Sequence, residues 1–154
     1  MTMLFMTNTI YGLASPFLPT LLDEFGVDAT WTGLIFAMYA VASIITSLFV
    51  GKLIESIGHR RLIATGGILM ALSIVGFGAA YHVKKKWLLI LLFNLLRVGQ
   101  GCASGMINTT AYAYASVAYP NDVEKIISLF EGVVGIGGTS GPILGSLVYK
   151  ALGF

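Results

Sequence analysis

The stretch GVVGIGGTSGPILG, Gly132 to Gly145, decides how this chain folds. Six of its fourteen residues are glycine and one is proline, the two least favourable helix formers in water. Yet it lies inside an apolar run, Ile126 to Tyr149, whose only charge is Glu131. A flexible loop would not hold so many Val, Ile and Leu residues, and a helix in water would not tolerate so much glycine. A lipid bilayer reconciles the two. There the backbone must satisfy its own polar groups and becomes helical, while small residues let neighbouring helices touch.

Composition agrees. Only 10% of the 154 residues are charged and the mean hydropathy is +0.87, whereas soluble domains carry about 25% charged residues. A net charge of +2 is too small to suggest a nucleic-acid partner. The single cysteine, Cys102, lies in an apolar run and reads as a small interior residue, with no internal disulfide or thiolate metal cluster. No nucleophile–base constellation, phosphate loop or metal-ligand spacing is present. An enzyme, a cofactor and a metal site are therefore not expected.

Five apolar segments, 3–22, 31–54, 62–81, 87–115 and 126–149, each reach the roughly 20 residues of a spanning helix. The expected fold is an all-α membrane bundle. The first segment lacks the basic start of a signal peptide and carries Asn8, Ser15, Pro16 and Pro19, so it reads as a retained helix. The connections, 23–30, 55–61, 82–86 and 116–125, are short and polar. Asn121 with Glu124 three residues on resembles a capping box opening the last helix. Trp31 and Trp87 suit an interfacial aromatic belt. Lys84 to Lys86 read as a solvated turn or headgroup contact, and the neighbouring His82 as an exposed loop residue. Orientation by charge is tied, with Lys52, Arg60, Arg61 and Lys125 on one side and Lys84, Lys85, Lys86 and Lys150 on the other.

Two charges stand out inside the apolar segments, away from their ends: Arg97 near the middle of the fourth and Glu131 between one and two turns into the fifth. Such a charge costs about 2.5–3.5 kcal/mol at a helix centre, and intramembrane ionisable groups usually mark substrate or proton sites. At helical spacing, Asn94, Arg97, Gly101, Ser104 and Asn108 share one face of the fourth segment. Glu131, Gly135, Gly138, Pro142 and Gly145 share one face of the fifth, and Asn8, Tyr11, Ser15 and Pro19 one face of the first. The third segment is apolar nearly all round and is expected to face lipid. The pattern implies a polar pathway lined by the first, fourth and fifth helices. A structural ion pair between Arg97 and Glu131 and a substrate or proton site are both open, and they are compatible. Asn94, Gln100 and Asn108 fit interhelical hydrogen bonds as well as ligand contacts.

Three stretches resemble motifs of the major facilitator superfamily, in the right helices and the right order. GKLIESIGHRR, Gly51 to Arg61, resembles its loop signature, with Glu55 in place of the usual aspartate, Ser56 in place of a basic residue and His59 in place of arginine. RVGQGCASG, Arg97 to Gly105, resembles its R-x-x-Q-G motif, and GGTSGPILG, Gly137 to Gly145, the G-x-x-x-G-P-x-x-G motif of proton-coupled antiporters. Glu131 together with YPND, Tyr119 to Asp122, is most similar to vesicular amine and polyamine transporters.

The resemblance implies an N-terminal, partial six-helix half of a twelve-helix transporter, built from inverted triplets. It implies proton-coupled antiport of small organic cations, with Arg97, Glu131, Asn8, Tyr11, Asn94, Gln100 and Asn108 along the pathway. Glu131 would carry the proton coupling, because a proton and a cationic substrate compete for its charge. Gly51, Glu55, Gly58, Arg60 and Arg61 would latch the cytoplasmic side, placing that loop and the N-terminus in the cytosol. Gly101, Gly137, Gly141 and Gly145 would pack helices, and Pro142 would bend one. Expected partners are lipid, protons, a small-molecule substrate and a second half of the transporter or another membrane chain. A fragment, a truncated paralogue and a subunit all remain open. So do a non-transporting scaffold, a sugar or organic-anion facilitator bound through Arg97, and a vesicular or plasma membrane location.

Overall fold

The structure is a computed structural model that describes residues 1–13, 15, 16, 18–80 and 85–152, with the side chains at 21, 24 and 148–152 outside the description. Tyr81, His82 and Lys84 lie outside the described residues, as does the side chain of Lys150. Among the described residues the chain is helical with short connections: α1 (Thr2–Leu13), α2 (Leu18–Glu24), α3 (Ala29–Ile57), α4 (His59–Ala80), α5 (Lys86–Ala118) and α6 (Val123–Leu152). The last four are long and apolar enough to cross a membrane.

The first apolar segment differs from the single helix expected over 3–22. It forms α1 and α2, with Ser15 and Pro16 in a turn and the Ser15 amide bonded to the Gly12 carbonyl at 3.1 Å. Pro16 disfavours helix at the residue before it. Pro19 sits in the first turn of α2, where its missing N–H costs nothing.

The connection expected over 55–61 is also reduced. Glu55 ends within α3 and Arg60 and Arg61 within the first turn of α4, so Gly58 alone is non-helical. Gly58 has φ of 85° and its amide bonds the Ile54 carbonyl at 2.9 Å. A positive φ reverses the chain in one residue, and glycine carries no Cβ to oppose it. At α6 the cap lies one residue beyond the expected Asn121: the Ile126 amide bonds the Asp122 carbonyl at 3.1 Å, and Lys125 pairs with the Asp122 carboxylate at 2.9 Å.

The chain divides into two compact units, residues 27–114 and residues 1–26 with 115–154. In the first, α3, α4 and α5 pack through Ile35, Tyr39 and Ala42, through Leu62, Met70 and Phe77, and through Leu89, Phe93 and Ile107. The opposite faces are apolar and exposed, with Ile44 and Leu48 on α3 and Ile68, Leu72 and Val75 on α4. Apolar faces turned outward suit lipid, which offers no hydrophobic gain for burying them. α3 thus carries an exposed apolar face as α4 does.

In the second unit α1 lies along α6. Its seam is made of backbone. A β-carbon on Gly137 would meet the Phe5 carbonyl oxygen at 2.8 Å, one on Gly141 the Thr9 oxygen at 2.5 Å, and one on Gly145 the Leu13 oxygen. The three glycines and the three carbonyls both recur every four residues, so two helices touch along their length. Gly135 and Gly138, which the spacing puts on the pathway face, have no neighbour within 4 Å of such a carbon. Adjacent residues of a helix point about 100° apart, so Gly137 can meet α1 where Gly138 does not.

Candidate functional site

Arg97 is fully buried in α5. Its Nη1 donates to Oε1 of Gln100 at 3.0 Å, a bond between residues one helical turn apart. The guanidinium carbon lies 4.8 Å from the ring centroid of Phe36 on α3 and 5.4 Å from that of Phe77 on α4. Phe77 in turn stacks on Phe93 at 5.0 Å with 21° between the planes. A cation over a ring face is attracted by the ring quadrupole, by about 2 kcal/mol or more once desolvated. The arginine therefore joins the three helices of its unit through an amide and two aromatic faces. Phe36 and Phe77 were not among the sequence candidates. Only Phe93, four residues before Arg97, carried a local signal.

The rest of the α5 face binds α3. A β-carbon on Gly101 would meet the Tyr39 carbonyl, and one on Gly105 the Ser43 oxygen at 2.6 Å. Two glycines four apart thus admit the α3 backbone. Thr109 donates to the Ser47 hydroxyl at 3.0 Å, and Ser47 to the Ser43 carbonyl at 2.8 Å. Asn108 donates to the Ser104 hydroxyl at 3.1 Å, while its Oδ1 and the hydroxyl of fully buried Thr110 have no hydrogen-bond partner among the described residues. Asn94 donates to the Ile90 carbonyl at 2.9 Å within its own helix. The structure thus brings Arg97 and Gln100 together, places Gly101 on a helix seam, and gives Asn94 a local backbone partner.

In the other unit, half-buried Asn8 donates to the Leu4 carbonyl at 2.8 Å and Tyr11 is exposed on α1. Glu131 is exposed on α6, two turns after its start. Pro142 lies inside α6, which continues through it. At the α3–α4 junction Gly51, Glu55, Arg60 and Arg61 are exposed, and Glu55 makes no ion pair with either arginine among the described residues. His59, the first residue of α4, meets the Tyr114 ring edgewise at 5.7 Å. Among the described residues no cluster of His, Cys, Asp or Glu fits a metal ion.

The family profile described as Major Facilitator Superfamily matches residues 1–154. The chain belongs to that superfamily. It is accordingly a multi-pass membrane protein of a transporter family and not an enzyme. The chain is 27% identical over 144 residues to the MFS-type transporter SLC18B1 of Mus musculus, covering 94% of this chain and 31% of that protein. It is 26% identical over 137 residues to Multidrug resistance protein 2 of Bacillus subtilis, covering 89% and 33%. With Multidrug resistance protein MdtG of Proteus mirabilis it shares 28% over 155 residues, covering 97% and 37%. The chain spans about a third of the length of these superfamily relatives.

Proposed function

We propose that the chain forms the N-terminal part of a proton-coupled antiporter of small organic cations, amines or polyamines. One contrast carries this reading. Glu131 is exposed on a membrane helix, whereas Arg97 has no accessible surface. The accessible intramembrane charge is thus the negative one, which a proton or an ammonium group can occupy in turn. The same contrast disfavours a sugar or organic-anion facilitator bound through Arg97. Two of these relatives are named multidrug resistance proteins, in keeping with a broad organic substrate range.

In this reading alternating access requires a second half, supplied by a longer product of the same gene or by another membrane chain. The α3–α4 junction and the N-terminus face the cytosol, in a vesicular or plasma membrane. A non-transporting scaffold is the rival. The deciding experiment expresses the complete reading frame, reconstitutes it in proteoliposomes and measures uptake of a labelled polyamine under an imposed pH gradient. Gradient-dependent uptake that is competed by amines and not by organic anions supports the reading. Competition by anions, or no uptake from well-folded protein, overturns it.

A further inference from the structure

Pro142 brings no N–H to α6, so the carbonyl of Gly138, four residues earlier, loses the donor that would close its turn. In lipid a carbonyl without a donor is costly. Gly12 of α1 sits over this break. A β-carbon on Gly12 would lie 2.9 Å from the Gly138 oxygen, 2.8 Å from Cδ of Pro142 and 3.2 Å from Cα of Gly141. The hydrogen that glycine carries in that place is therefore aimed at the carbonyl the proline releases, as in a Cα–H···O contact. Any other residue would drive its side chain into the carbonyl and the ring together.

The position along α1 matters as well. Leu13 is the last residue of α1, and Ser15 and Pro16 form the turn that follows. A β-carbon on Gly145 would meet both the Leu13 oxygen and, at 3.3 Å, Cγ of Pro16. The proline turn that follows α1 thus lies against α6 just beyond Pro142, and glycines of α1 and α6 each cover the backbone of the other.

We propose that Gly12 is the seat of the Pro142 joint, a positioning residue on α1 that covers the Gly138 carbonyl and lets α1 and α6 stay in contact there. The part of α6 beyond Pro142 then has a pivot whose backbone stays shielded. The consequence for transport rests on the antiport reading above, while the contact does not, and the test reads the contact alone.

The test is a double-mutant cycle on the 154-residue chain in detergent micelles, read as the thermal midpoint of helical circular dichroism. Gly12→Ala lowers the midpoint by about 5 °C or more, as overpacking of a tight seam does. Adding Pro142→Ala recovers about half of that loss or more, because alanine removes Cδ and returns an N–H to the Gly138 carbonyl. Gly137→Ala, whose new carbon meets the Phe5 oxygen instead, also lowers the midpoint, and Pro142→Ala recovers none of it. If Gly12→Ala alone yields no folded protein, recovery of a monodisperse peak in size exclusion by the double variant is the supporting result. A wild-type midpoint in Gly12→Ala, no recovery in the double variant, or equal recovery of Gly137→Ala overturns the proposal. Transport enters none of these readouts, so their failure leaves the antiport reading untouched.

Discussion

The guanidinium carbon of Arg97 stands 4.8 Å above the Phe36 ring, although the two residues are sixty-one positions apart in the chain. With Phe77 at 5.4 Å and Gln100 at hydrogen-bond distance, it makes a buried charge the common element of three helices. In such a place the ring faces offset part of the cost of desolvation that water would otherwise have met.

Phe36→Leu and Phe77→Leu should therefore each lower stability by about 1–2 kcal/mol beyond the loss of packing. Phe77→Leu should cost more, by about 0.5–1.5 kcal/mol, because it also ends the stack on Phe93. Thermal denaturation in detergent measures both, and Phe36→Trp should hold near the wild type. Equal, small effects at both rings would remove the cation–π account.

Arg97→Lys keeps the charge and loses the planar group that lies over two rings and donates to Gln100. Reduced stability is expected, and Arg97→Ala should reduce the yield of folded protein as well. Expression and thermal midpoints equal to wild type in both variants would show that the ring contacts hold nothing.

Neighbouring glycines should respond in opposite directions. Gly141→Ala places a carbon 2.5 Å from the Thr9 oxygen, and a loss of about 1–3 kcal/mol is expected. Gly138→Ala meets nothing within 4 Å, so its helix propensity should leave stability unchanged or raise it by up to about 1 kcal/mol. Paired thermal midpoints check the contrast, and a reversed order would contradict the seam.

Glu131→Gln removes the exposed carboxylate and no core packing. In the complete transporter it should abolish pH-gradient-driven exchange of amines while leaving expression and thermal stability near wild type. Full gradient-driven uptake in this variant would end the proton-coupling proposal.

Gly58→Ala forces a side chain into φ of 85°, at a cost of about 1–3 kcal/mol. Glu55→Ala breaks no ion pair with Arg60 or Arg61 and should leave the midpoint of this chain unchanged. In a transporter with both halves, the proposed latch predicts that Glu55→Ala favours inward-facing states. Cysteine accessibility from both sides of the membrane reads that shift, and an unaltered pattern would leave the junction as an anchor only.

Sequence alone determined that this chain is a bundle of membrane helices, because the apolar segments have spanning length and lipid leaves the backbone no alternative to helix. It also marked Arg97, Glu131 and the Gly-Pro stretch, since a charge or a run of glycine in an apolar segment is conspicuous without any structure. Tertiary structure decided the rest. Which helix the stripe of Gly137, Gly141 and Gly145 packs against is decided by the carbonyls of Phe5, Thr9 and Leu13 on α1, and a pattern within α6 names no partner. The rings over Arg97 come from α3 and α4, and no spacing along α5 singles out Phe36 or Phe77 among nine phenylalanines. Gly12 is one glycine among nineteen until α1 lies across Pro142. Each of these depends on contacts between distant residues, and helical periodicity describes only what lies within one helix.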